Sequence, residues 1–378
     1  MRPLVTAARD AAEQWFLARG LPAALTPRAR ARYAIARSAP ALTAYATVMI
    51  ALLIVDLVAG SSEIYIDGAP TAAERLVLAV LGLTVPLALI VGWAVSRLRR
   101  RAKSVVALIA TAVVAAASVV RGGASHLVIS GIAVAIAVIV TAVGAGAVLG
   151  WAVRLTMAQA AAMGALFVSA LPVVLLTVVV FFNTYVWVLA STISQARLAV
   201  ALLFLFAVTI AFILSSSNSR AGPMLESVSA PHDGAHELSG TPFAAIPDPP
   251  TNEPLSGGER LNVVAVLAAA QIAHLMMVAI CTAAIYFVLG LILLGPEVLT
   301  KWTGGGASIG AVFGMTIPVP QSLINMTLIL CALTFMYVSA RSVGDDGYKA
   351  DFLNPLIEDL HTTLVARNRW VGAPTELS

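Results

Sequence analysis

Residues 39 to 60 read APALTAYATVMIALLIVDLVAG, with Asp56 their one charged side chain, and apolar runs of this kind recur along the chain. A helix rises 1.5 Å per residue, so about 20 apolar residues cross roughly 30 Å of hydrocarbon. Runs at 39–60, 74–96, 104–120, 127–150, 161–182, 197–214, 262–294 and 321–340 serve as eight spans. The third and sixth are short, and the seventh is long enough to tilt or to extend beyond the bilayer. With 60% hydrophobic and 11% charged residues and a mean hydropathy of +0.92, a soluble domain could not cover its own surface. The expected fold is all-α, a polytopic transmembrane helix bundle.

Charge orients it. Cytoplasmic segments hold the excess of Lys and Arg. Placed with both termini cytoplasmic, the eight-span arrangement puts 19 basic residues inside and leaves only Arg75, Arg121, Arg197 and Lys301 outside. Seven or nine spans would put a basic cluster on the wrong face. The Arg-rich residues 1–38 precede the first span without the form of a secretory signal, which keeps the N-terminus in the cytoplasm. The net charge of +4 does not indicate a nucleic-acid partner, because the basic residues flank apolar runs. The lipid bilayer is the expected partner.

The domain reading follows. Residues 1–38 form a cytoplasmic amphipathic segment, 39–214 a six-helix membrane region, 261–340 a two-helix membrane region, and 341–378 a cytoplasmic tail. Residues 215–260, rich in Ser, Pro, Gly and acid, read as a disordered cytoplasmic loop. It ends in Ser256-Gly-Gly-Glu259, the spacing of a capping box that starts the seventh helix. In the tail, Asn354 and Pro355 open a helix, and Phe352, Leu356, Leu360 and Leu364 recur every four residues, which predicts an amphipathic helix along the inner face. The loop and the tail are the surfaces expected to meet a membrane or cytoplasmic protein partner.

The stretches LPVVLLTVVVFFNTYVWVLAS and FLNPLIEDLHTTLVARNRW resemble uncharacterised multi-spanning integral membrane proteins of actinobacteria. The resemblance implies a bacterial source and a multi-pass place in the plasma (inner) membrane, and no activity comes with it.

Ionisable groups inside spans are costly and are functional candidates by default. Asp56 lies about 6 Å from the outer end of the first span. It would bind a cation or relay a proton, or else pair with Arg121 or Arg197, which sit at span ends on the same face. In the seventh span Gln271 and His274, with Cys281 and Thr282 beyond them, form a polar stripe. That stripe would line a solute path or take up a proton, or else bond to a neighbouring helix, with Asn325 and Thr327 as potential partners.

Residues 301–321, KWTGGGASIGAVFGMTIPVPQ, are too short to span. Gly306, Gly310 and Gly314 repeat every four residues, so a helix over 307–317 would have one bare face for close packing. Either 304–320 re-enters the membrane, or it is an apolar external linker. The histidines of His232-Asp-Gly-Ala-His236 have a ligand spacing, but Pro231 and Gly234 oppose a helix and no third ligand is fixed, so no metal is assigned. Phosphate-loop and HExxH signatures are absent, and no catalytic residue or cofactor is assigned. The leading expectation is a non-enzymatic component that binds or stabilises partners in a membrane assembly. The alternative is a transporter or channel for a small solute or lipid.

Overall fold

The computed structural model describes residues 2–59, 71–159, 178–229, 238–244, 246, 253–303, 309–312, 315–344 and 346–372. Its principal helices are α1 (Arg2–Ala18), α2 (Ala34–Ala59), α3 (Ala72–Ser96), α4 (Arg100–Val143), α5 (Ala145–Gln159) and α6 (Thr184–Thr192). They continue as α7 (Gln195–Ser229), α8 (Gly257–Leu293), α9 (Pro296–Thr303), α10 (Gln321–Ser342) and α11 (Asn354–Gly372). Strands β1 (Ile309–Val312) and β2 (Met315–Pro320) interrupt the series. Six of the described helices, α2, α3, α4, α7, α8 and α10, are long and apolar enough to cross a membrane. The chain divides into two compact units, residues 30–146 with 308–321, and residues 1–29, 147–307 and 322–378.

In the first unit α2 packs on both α3 and α4. The 44 residues of α4 are twice what one crossing needs, and the backbone leaves helical geometry at Gly122 and at Gly123, whose φ is +63°. Only glycine adopts that left-handed conformation without steric cost. Ser118 Oγ donates to Ser130 Oγ at 2.8 Å, although twelve residues of straight helix would hold them about 18 Å apart. The chain therefore doubles back at Gly122–Gly123, and α4 is a hairpin of two helices. Val114 and Val134, and Ala110 and Val138, belong to the same apolar cluster, as antiparallel arms require. These arms correspond to the separate apolar runs 104–120 and 127–150. The second arm ends at Gly144, in the left-handed conformation, before α5 begins.

The Gly-rich segment differs from expectation. Residues 309–312 and 315–320 pair as two antiparallel strands, not a helix, with Gly310 opposite Ile317 and Val312 opposite Met315. β-branched Val, Ile and Thr with Pro318 and Pro320 favour extended backbone, and this outweighs the four-residue glycine spacing. Gly306 and Gly314 lie outside the described residues, as does most of the apolar run 161–182.

In the second unit α8 is the central element. Its 37 residues extend about 55 Å, well beyond one hydrocarbon thickness. Ser256 and Glu259 cap it reciprocally: Glu259 N–H donates to Ser256 Oγ, and Ser256 N–H donates to Glu259 Oε2. α8 and α10 approach at Gly290, where any larger side chain would meet Leu323. Near that end Asn325 Nδ2 donates to the Ala190 carbonyl, and Trp187 makes a tilted ring contact with Trp302.

Two expectations about the chain outside the spans need correction. The 215–260 region is not disordered throughout: α7 continues to Ser229, and Leu238 and Phe243 are fully buried. Its polar average concealed two apolar anchors. The apolar stripe of the tail helix is covered by protein and not free for lipid, and Thr363 to Trp370 are buried on every side. Its Phe352, Leu356, Leu360, Leu364 stripe joins one core with Phe16, Leu21, Val263, Val266 and Phe243. A four-residue stripe specifies an apolar face, not what covers it.

Candidate functional site

The densest chemistry of the second unit runs along one half of α8. At its first turn Glu259 meets Arg367 of α11. Arg367 Nε donates to Glu259 Oε1 at 2.7 Å and Nη2 to Oε2 at 2.9 Å, a two-pronged pair whose side chains are only 5% and 8% exposed. Arg367 Nη1 also donates to the Glu253 carbonyl and to Asn368 Oδ1, so the guanidinium is well satisfied. Glu259 precedes the apolar stretch of α8. Burial pushes its carboxyl up, but hydrogen bonds from Arg367 and Ser256 outweigh this and hold it below the usual carboxylate range.

One turn further along, Asn262 clamps the chain after α1. Its Oδ1 accepts from Ala23 N–H and its Nδ2 donates to the Gly20 carbonyl, each at 2.9 Å. Arg19 pairs with Asp359 of α11, and Arg369 Nη1 donates to the Phe243 carbonyl. Trp15, Phe16, Phe243 and Trp370 fill the space between with edge-on and tilted ring contacts at 5.0–6.3 Å. Three distant parts of the sequence thus close around the start of α8 as one folded base.

Above the base lie Gln271 and His274, each 2% exposed. The segment before α11 covers them: a π-type turn over Lys349–Leu353 follows Asp346–Tyr348 and presents Tyr348 and Phe352 together. The His274 ring lies 4.2 Å from Phe352 and 5.8 Å from Tyr348, whose own rings stack at 5.2 Å. Neither ring nitrogen of His274 nor Gln271 Nε2 has a hydrogen-bond partner. A neutral imidazole offers one donor and one acceptor and the Gln271 amide nitrogen two donors, so this part of the core holds three nitrogens with four open hydrogen-bonding positions. Each costs about 1–3 kcal/mol when left unmet in the interior. Asn325 and Thr327 do not supply them: Asn325 bonds to Ala190, and Thr327 Oγ1 donates back to the Leu323 carbonyl. Gly290, which lies against Leu323, follows His274 by sixteen residues on α8, about 24 Å by helical rise. Thr282 likewise bonds within its own helix, to Val278.

Asp56 belongs to the other unit. Arg121 Nε donates to its Oδ2 at 2.5 Å, joining α2 to the hairpin turn of α4. Tyr45 reaches Ser130 by its hydroxyl, tying α2 to the second arm. Arg197 is exposed at the start of α7, with its backbone N–H donating to Ser194 Oγ. The His232 and His236 pair lies outside the described residues, and among those described there is no group of three or more His, Cys, Asp or Glu able to hold a metal.

The Glu259–Arg367 link and the Asn262 clamp were not anticipated. A signal existed: the tail stripe 352, 356, 360, 364 runs into Arg367, which buries a guanidinium and so requires an acid. Comparison with models of known families, with curated proteins and with solved structures finds no match.

Proposed function

We propose that this chain is a non-enzymatic multi-pass protein of the plasma membrane, with eight spans and both ends cytoplasmic, that binds or holds partners in a membrane assembly. The observation that carries the reading is the folded base: a helix longer than a crossing requires continues past its apolar stretch and gathers both chain ends around Glu259 and Asn262. Such a base is a rigid platform, and its interior charges are spent on holding it together. The eight-span count is supported by the six long apolar helices, by the doubling back of α4, and by the run 161–182. The inside placement of the ends is supported by the 19 to 4 division of basic residues. Because the 363–370 half of α11 is enclosed in the base, partner contact falls to the base's outer surface, where Asn354, Pro355 and Glu358 are exposed, and to the segment around 230–237.

A second reading, transport of a small solute or of protons, is favoured by one observation, the three unpartnered nitrogens of Gln271 and His274. One experiment separates the two. The tagged chain is purified from native membranes in mild detergent, in its natural form, with residues 230–237 replaced by Gly and Ser, and as His274→Phe. The assembly reading predicts a stoichiometric protein partner, weakened by the loop replacement and kept by His274→Phe. A chain purified alone, whose proton or solute flux in liposomes is abolished by His274→Phe, would replace that reading with transport.

A further inference from the structure

We infer that the basic end of the 30–146 unit is a binding surface for anionic phospholipid headgroups. Residues 30–37 and 97–103 carry Arg30, Arg32, Arg37, Arg97, Arg99, Arg100, Arg101 and Lys103. The sequence has no Asp or Glu between Glu13 and Asp56, and none between Glu74 and Glu226. The unit's own acids therefore all fall within 56–74, in the connection at the far ends of α2 and α3. Packing of α2 against α3 and α4 gathers the start of α2, the end of α3 and the start of α4 at one end: Pro40 lies against Gly92, and Ala39, Val95 and Ala107 share a cluster. Eight positive charges meet there.

Two of them are held in place. The Arg97 guanidinium lies 3.8 Å above the Trp93 ring, and that of Arg100 lies 3.9 Å above Tyr33. Cation–π attraction holds a guanidinium over a ring, and the guanidinium fork is the group that takes a phosphate with two parallel hydrogen bonds. α4 opens beside them with no side chain capping its first N–H groups, which adds to the positive field. Arg30 Nε is buried without a partner. Trp93 and Tyr33 are themselves 58% and 44% exposed, with Ile35 and Leu98 exposed nearby. Amphipathic rings beside apolar side chains mark the level of a membrane interface. A cluster of four to eight basic residues at that level is the arrangement that recruits acidic lipid. Phosphate on a lipid anchor satisfies the charge and the apolar rim together, whereas free phosphate satisfies only the charge.

The inference rests on the membrane placement above, and the test separates the two. The full-length protein is reconstituted into phosphatidylcholine vesicles with and without phosphatidylglycerol, and flotation first reports whether it enters the bilayer. Failure to float would overturn the membrane placement itself. Lipid retained after re-extraction is then counted by native mass spectrometry. The natural chain should retain phosphatidylglycerol over phosphatidylcholine. In a variant carrying Arg97→Gln, Arg100→Gln and Arg101→Gln that preference should fall about fivefold per charge, roughly a hundredfold in all. Arg75→Gln, at the far end of the same unit, should keep it. Trp93→Leu with Tyr33→Leu, which spares every charge, should lower it by a smaller factor. Equal retention by the triple variant would overturn the inference, as would loss of phosphatidylglycerol to competing inorganic phosphate.

Discussion

At the scale of single residues, the second unit depends most on Arg367. Removing one partner of a buried pair strands the other charge, at about 3–5 kcal/mol. Arg367→Ala should therefore lower thermal stability in detergent sharply, while Glu259→Met with Arg367→Met should recover much of the loss. The pair also sets a pH dependence. The Glu259 carboxyl is held below its ordinary value, so the stability it contributes is complete above the unfolded carboxylate pKa of about 4.3 and is lost as pH falls through the lower folded value. Melting curves of the natural chain should fall more steeply below about pH 4 than those of the Met pair, and equal slopes would remove Glu259 from that role. The sequence marks Glu259 as half of a capping box and hints, through the stripe that runs into Arg367, that this guanidinium is buried, but it does not join the two. A cap is a local pattern, but the partner 108 residues away is placed by the tertiary fold.

At the scale of elements, the α4 hairpin shows what apolar patterning does and does not specify. Two apolar runs separated by residues 121–126, RGGASH, predict two crossings, and two helical arms are present because glycine admits the reversal. The register of the arms was not predictable, since Ala, Val and Ile fit many neighbours equally well. Ser118 and Ser130 set it, and Ser118→Cys with Ser130→Cys tests it. Oxidation should form a disulfide within the hairpin, detected as a peptide pair by mass spectrometry, while a straight helix would leave two free thiols. In the Gly-rich segment, four-residue glycine spacing describes a helix face only if a helix forms, and residues 309–312 and 315–320 pair as strands instead. The tail helix was read correctly as a stripe and wrongly as a lipid-facing one, because Arg367, Arg369 and Trp370 behind the stripe are also covered.

At the scale of the whole molecule, the multi-pass character follows from composition and from the six long helices, and that much could be read before any coordinates. The folded base could not. It draws on residues 15–23, 238–246, 253–262 and 352–370, four stretches whose separate compositions indicate nothing shared. The claim on which the functional reading stands is that both chain ends meet there on the cytoplasmic side. Asp359 beside Arg19 allows a direct test. In a background of Cys281→Ala and Cys331→Ala, cysteines are placed at Arg19 and Asp359, and a short, membrane-impermeant bifunctional maleimide is added to intact cells and to inverted vesicles. The account predicts a cross-link between the N- and C-terminal segments in inverted vesicles and none in intact cells. No cross-link in either preparation would contradict the base, and a cross-link in intact cells would contradict its placement.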